Sequence, residues 1–162
     1  MENLKVTQYK SEFKLPSNIE AEQALIGSVL VNNDIIDEVS NIINFNEFFD
    51  PVHSKIYNLI DKLHNKGMIA NPITLKTSFE KDESLLDIGG TDYLVKLTRL
   101  SSSTKQSIDY AKIIHEKFVK RELIKISENL SENAVDEKSD RSGEEIIQDT
   151  EKLLFDLAER GT

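Results

Sequence analysis

The chain has 162 residues, 20 of them basic and 29 acidic, for a formal net charge of −9. That length holds one ordinary domain, or a small head with an appendage. The charge argues against a protein that grips nucleic acid over its whole surface, which needs clustered Lys and Arg, and the absence of Cys excludes a disulfide scaffold, a thiol nucleophile and thiolate zinc sites.

With 38% hydrophobic residues and no Trp, the core must come from Leu, Ile, Val and the seven Phe. The apolar run from Ala24 to Val31 is interrupted by Gly27 and Ser28 and is too short to span a bilayer. The N-terminus has no apolar signal segment, so a cytoplasmic protein is expected.

Residues 1–14 carry mixed charges without a period and are expected to be a flexible tail. Pro16 marks a boundary. Ser17 and Glu20 fit a capping box that opens a helix carrying Ala21, Leu25 and Val29, with Glu20 and Glu22 favouring the helix dipole. Asn32-Asn33-Asp34 ends it and opens a second helix on Ile35, Ile36, Val39, Ile42 and Ile43. A third starts with Asp50 as N-cap and Pro51 at the first position, buries Val52, Ile56, Leu59, Ile60 and Leu63, and stops at Lys66-Gly67. A short helix is expected from Thr74 to about Lys81, and another from Thr91 to about Leu100 after a break at Gly89-Gly90.

From Ser107 to Val135 there is neither Gly nor Pro, which predicts one long helix or two with a small break. Its first half sets Ile108, Ala111, Ile114 and Phe118 on one face. Its second half sets Val119, Leu123, Ile126 and Leu130 at steps of four, three and four. After a polar tip at 136–143, Ile146, Thr150, Leu153 and Leu157 repeat those steps on a last helix ending near Ala158. Two matched stripes predict an antiparallel helical hairpin with Val119, Leu123, Ile126, Leu130, Ile146, Leu153 and Leu157 as its seam.

The expected architecture is all-α: a compact head of about six helices over residues 15–118, then a projecting hairpin over 119–160. The apolar positions of the last helix cover an arc of roughly 140°, more than one partner helix needs. Phe155 lies outside that arc. The excess marks Ile147, Leu154 and Phe155 as candidates for self-association or for docking another protein.

No catalytic centre emerges. There is no GxxxxGK[ST] or GxGxxG loop, and Gly89-Gly90 lacks the Lys and strand of a phosphate site. His53, His64 and His115 lack metal-ligand spacing, and His53, at a helix start, is expected to pack or cap. Thus catalytic residues, metal ligands and cofactor-binding residues are all expected to be absent from this chain.

The stretch PSNIEAEQALIGSVL resembles the opening of the N-terminal domain of replicative DNA helicases of the DnaB family, through Pro16, Asn18, Glu20, Ala21, Glu22, Ile26 and Gly27. The similarity continues in order through Phe49, His53 and Ile56, through Pro72–Leu75, and through Ile88-Gly89-Gly90 with Tyr93, Leu94 and Leu97. It then runs through Tyr110-Ala111, Ile113, Glu116-Lys117 and Arg121, and closes at Glu151, Leu154 and Phe155. Asn71 stands where the family usually has Asp, and 103–107 lacks the family's Pro and Asn.

The resemblance implies a non-catalytic collar domain of a hexameric helicase. Its hairpins pair between subunits, so that the hexamer is a trimer of dimers. Primase docks on the collar, and a helicase loader is a further partner. ATP, Mg and most DNA contact belong to a RecA-like motor domain expected after residue 162, which translocates 5′ to 3′. Two other classes stay open: a free-standing helical interaction regulator, and a small hydrolase with a carboxylate-held metal.

Overall fold

Six of the eight α-helices among the described residues begin on a side chain that accepts a free backbone N–H of the first turn. The structure is a computed structural model and describes residues 14–160. The expected N-terminal tail, apart from Lys14, lies outside the described residues.

Helix α1 spans Ile19–Val31 and is capped by Asn18, whose side chain accepts from the Ala21 N–H at 2.9 Å. Asn18, not Ser17, is therefore the cap. Both residue types cap well, but only Asn18 sits one position before the first helical residue. Helix α2, Ile35–Val39, stops four residues earlier than expected. Ile43 is still buried, but a turn carries it there. The interruption comes from Asn44, which is extended and forms a capping box with Glu47 around a 3-10 turn, Phe45–Glu47. The Asn-x-x-Glu signature was present in the sequence.

Helix α3, Pro51–Asn65, has Asp50 as N-cap and Pro51 in its first turn, as expected. It ends in a Schellman motif: Gly67, with φ of 73°, donates to the His64 carbonyl, and Met68 donates to the Leu63 carbonyl. Helix α4, Pro72–Phe79, starts two residues earlier than expected because Asn71 and Thr74 close a capping box around Pro72. Helix α5, Glu83–Asp87, was not anticipated; Asp82 caps it by accepting from Ser84 and Leu85. After the turn at Gly89-Gly90 comes α6, Thr91–Thr98. Helix α7 runs unbroken over Thr104–Val135, and α8 spans Gly143–Glu159. The fold is all-α, with no strand among the described residues.

Helix α1 is the most enclosed element and is buried on nearly every side. It packs against α2, α3, α6 and α7. Gly27 permits this: a Cβ there would lie 1.9 Å from the Leu97 carbonyl oxygen of α6. One residue on, the Ser28 hydroxyl donates to the Ala24 carbonyl and accepts from the Ser102 N–H, fastening the loop that leads into α7.

Helix α7 buries Ser107, Ala111, Ile114, Phe118 and Arg121, all on one stripe. Arg121 is its last buried residue. Beyond it α7 packs on α8. The tip is ordered by polar contacts: Arg141 pairs with Asp149, and Ser142 caps α8 by accepting from Glu145.

Candidate interaction surface

Two buried carboxylates organise the segment between α2 and α3. Glu22 projects from α1 and accepts from the Phe49 N–H at 2.8 Å, the Asp50 N–H at 3.3 Å and His53 Nδ1 at 2.8 Å. His53 is fully buried, and its Nε2 meets the Tyr93 hydroxyl at 2.6 Å. Tyr93 in turn accepts from Gln23 at 3.3 Å. A carboxylate that also accepts two backbone donors places the His53 proton on Nδ1. Nε2 can then accept from Tyr93. Burial raises the Tyr93 ionisation above the ordinary phenol value, outweighing the Gln23 bond that lowers it.

Glu47 holds the other end of the segment. Its carboxylate accepts from the Asn44 N–H at 2.7 Å and meets His115 Nδ1 of α7 at 2.5 Å. Its carbonyl accepts from Arg121 at 2.7 Å, while the second guanidinium nitrogen of Arg121 donates to the Pro16 carbonyl at 2.8 Å. The guanidinium also lies 5.3 Å from the centre of the Phe49 ring. Burial lowers the Arg121 pKa from its ordinary value, and Glu22, Glu122 and Glu47 oppose that shift.

These arrangements show what sequence reasoning missed. His53 does pack, but as the centre of a polar relay through three helices. His115 pairs with Glu47 across 68 positions, not with an adjacent residue. His64 pairs with Asp37 at 2.8 Å, and Asp34 stands beside them on the exposed surface. No periodicity could have found these partners, because each pair joins separate segments.

Helices α7 and α8 bring the hairpin residues together unevenly. Ile146 and Leu157 are buried, and Val119 and Ile126 are half-buried. Leu123, Leu130, Leu153, Ile147, Leu154 and Phe155 all remain between 38% and 62% exposed. The hairpin thus presents more uncovered apolar surface than its second helix alone.

The family model described as the DnaB-like helicase N terminal domain matches residues 14–116. The chain belongs to this family. The replicative DNA helicase DnaB of Rickettsia felis is 42% identical over 144 residues, covering 89% of this chain and 29% of that protein. That of Buchnera aphidicola is 30% identical over 153 residues, covering 94% of this chain and 33% of the relative. The chain therefore spans about a third of the length of the curated relatives it matches.

The crystal structure of the N-terminal domain of DnaB helicase from Mycobacterium tuberculosis matches with a TM-score of 0.76 at 24% identity, over 88% of this chain and 99% of that one. A DnaB-like replicative helicase whose structure was described with its interactions with primase matches with a TM-score of 0.68 at 26% identity, over 86% of this chain and 31% of that one.

In this DnaB-like domain, four motif residues of the family resemblance belong to the polar network. Glu22, His53, Tyr93 and Arg121 come from four separate motifs and meet around residues 44–53. The chain corresponds to the N-terminal domain of these helicases.

Proposed function

We propose that this chain is the collar domain of a hexameric, ATP-dependent replicative helicase and that it self-associates through its hairpin and docks primase. The observation that supports this reading most directly is the uncovered apolar face of the hairpin. We take Val119, Ile126, Ile146 and Leu157 as the line of contact between α7 and α8, with Leu123, Leu130 and Leu153 completing the seam at its edges. At about 100° per residue, Leu123 and Leu130 then sit roughly 40–60° round from Ile126, and Ile147 and Leu154 roughly 80–100° round from Ile146. The rotations share one sense. In an antiparallel pair such rotations open toward the same side, so the four side chains make one two-helix face. Phe155 lies off this face and is the better candidate for a protein other than a second copy.

A face of that kind fits an isologous contact between two hairpins, buried as a four-helix core. Three such dimers would close a hexameric collar. The relative described with primase supports primase as the further partner, and a loader would use the same collar. ATP, Mg and the main DNA contact belong to the motor domain of the whole helicase. The complete protein would act in the cytoplasm on the chromosome; no described helix is long and apolar enough to cross a membrane.

Sedimentation equilibrium tests the core of this reading. The wild-type chain is expected to form a dimer that Leu154→Asp dissociates, with helicity by circular dichroism unchanged. If wild type and variant are both monomers at high micromolar concentration, the hairpin face does not self-associate and that part of the proposal fails. Calorimetric titration with primase then decides whether the face is a docking site.

A further inference from the structure

The structure assigns Arg121 a role as the positioning residue that aims the hairpin: its guanidinium clasps two separate segments of the head at the point where α7 leaves the core. Three observations converge there. Arg121 is the last buried residue of α7. Its two bonds go to the carbonyls of Pro16, before α1, and of Glu47, in the 3-10 turn. These segments are otherwise joined to α7 only through other residues, so one planar fork spans a three-way junction. Six positions earlier on the same helix, His115 holds the Glu47 carboxylate, and the Phe49 ring lies against the guanidinium.

A buried guanidinium that donates to backbone carbonyls gives geometry more than affinity. It does not depend on a carboxylate that could titrate or exchange for another ion, and its fork fixes two directions at once. Lys offers three donors from a single point and lacks the planar fork that fixes both directions. The far end of the hairpin also returns to this place, since Arg160, just after α8, lines a hollow with Ile43, Glu47 and Phe118. Both hairpin helices therefore reach the head around residues 43–49.

The consequence is leverage. From Arg121 to the end of α7 at Val135 the helix extends about 21 Å. A tilt of roughly 10° at the clasp would therefore move the hairpin tip by about 4 Å. Loosening the clasp should spread the positions of the hairpin face without unfolding either part.

The test measures the angle inside one chain and does not require self-association. The chain has no native Cys, so spin labels can be placed on Lys62→Cys in α3 and Ala134→Cys near the end of α7. The labelled protein is diluted with unlabelled protein so that only intrachain distances are read by pulsed electron resonance. Arg121→Ala is expected to broaden or displace the distance distribution by several ångströms with circular dichroism unchanged, and Arg121→Lys to fall between. If Arg121→Ala fails to fold, Arg121→Lys decides alone. A wild-type distribution in the folded variants overturns the assignment, whatever the oligomeric state proves to be.

Discussion

Glu22 is a charged residue with almost no exposure, yet three donors converge on its carboxylate. Replacing it with Ala would strand two backbone N–H groups and His53 in the interior. The expected loss is about 3–5 kcal/mol, because the partners of a removed buried charge remain desolvated. A lower urea midpoint with an unchanged slope would show it; a midpoint within experimental error of wild type would mean that the partners find new acceptors.

Tyr57 is the opposite case. It is buried against Phe48, and its hydroxyl has no hydrogen-bond partner among the described residues. Burial first, and the charges of Asp61 and Glu47 after it, push its ionisation well above the ordinary phenol range. The raised value means that the unfolded chain releases this proton first. The stabilisation is whole below pH about 10, the unfolded phenol value, and is lost as pH climbs beyond it. Tyr57→Phe should therefore leave stability at pH 7 unchanged or raised by up to about 1 kcal/mol. It should also flatten the decline above pH 10 in a stability–pH profile; a variant with the same alkaline slope as wild type would rule the assignment out.

Glycines in two helices separate propensity from packing. Ala normally favours a helix over Gly by about 0.5–1 kcal/mol. At Gly143, the first residue of α8, a Cβ meets nothing within 4 Å, so Gly143→Ala should stabilise, by less than that interior amount because the position lies at the helix end. At Gly27 a Cβ would overlap the Leu97 carbonyl, which is backbone and cannot rotate away. Gly27→Ala must push α6 from α1 and should destabilise by about 1–3 kcal/mol or more. Thermal melts of the two variants should move in opposite directions. Four helices pack on α1, which carries buried residues all round, whereas α8 packs on α7 and buries only Ile146 and Leu157.

For the whole molecule, the head has its own exposed apolar side chains, and these provide the control for the hairpin proposal. Ile73 on α4 is 80% exposed, more than any large apolar residue of the hairpin. If association runs through the two-helix face, Leu130→Asp should weaken the dimer as Leu154→Asp does, while Ile73→Asp should leave it intact. Dissociation by Ile73→Asp alone would move the contact to the head. Exposure by itself does not mark an interface; what distinguishes the hairpin is that four apolar side chains from two helices share one side.

All the helices except α5 were legible in the sequence because their signals are local. Asp50-Pro51 opens α3 and Gly67 closes it, while the absence of Gly and Pro lets α7 run for 32 residues. The order of short motifs identified the family, and the matched stripes pointed to a hairpin. The boundaries that were misplaced turned on caps: Asn18 rather than Ser17 before α1, Asn44 opening a separate turn after α2, and Asn71 opening α4. Only the tertiary structure decided which polar residues are structural and how the hairpin is held. Glu22 and His53 lie 31 positions apart, His115 and Glu47 68, and Arg121 and Pro16 105. Such pairs leave no period in the chain. A buried charge is tolerated only where distant segments bring donors and acceptors to it, and that meeting exists only once the helices have packed.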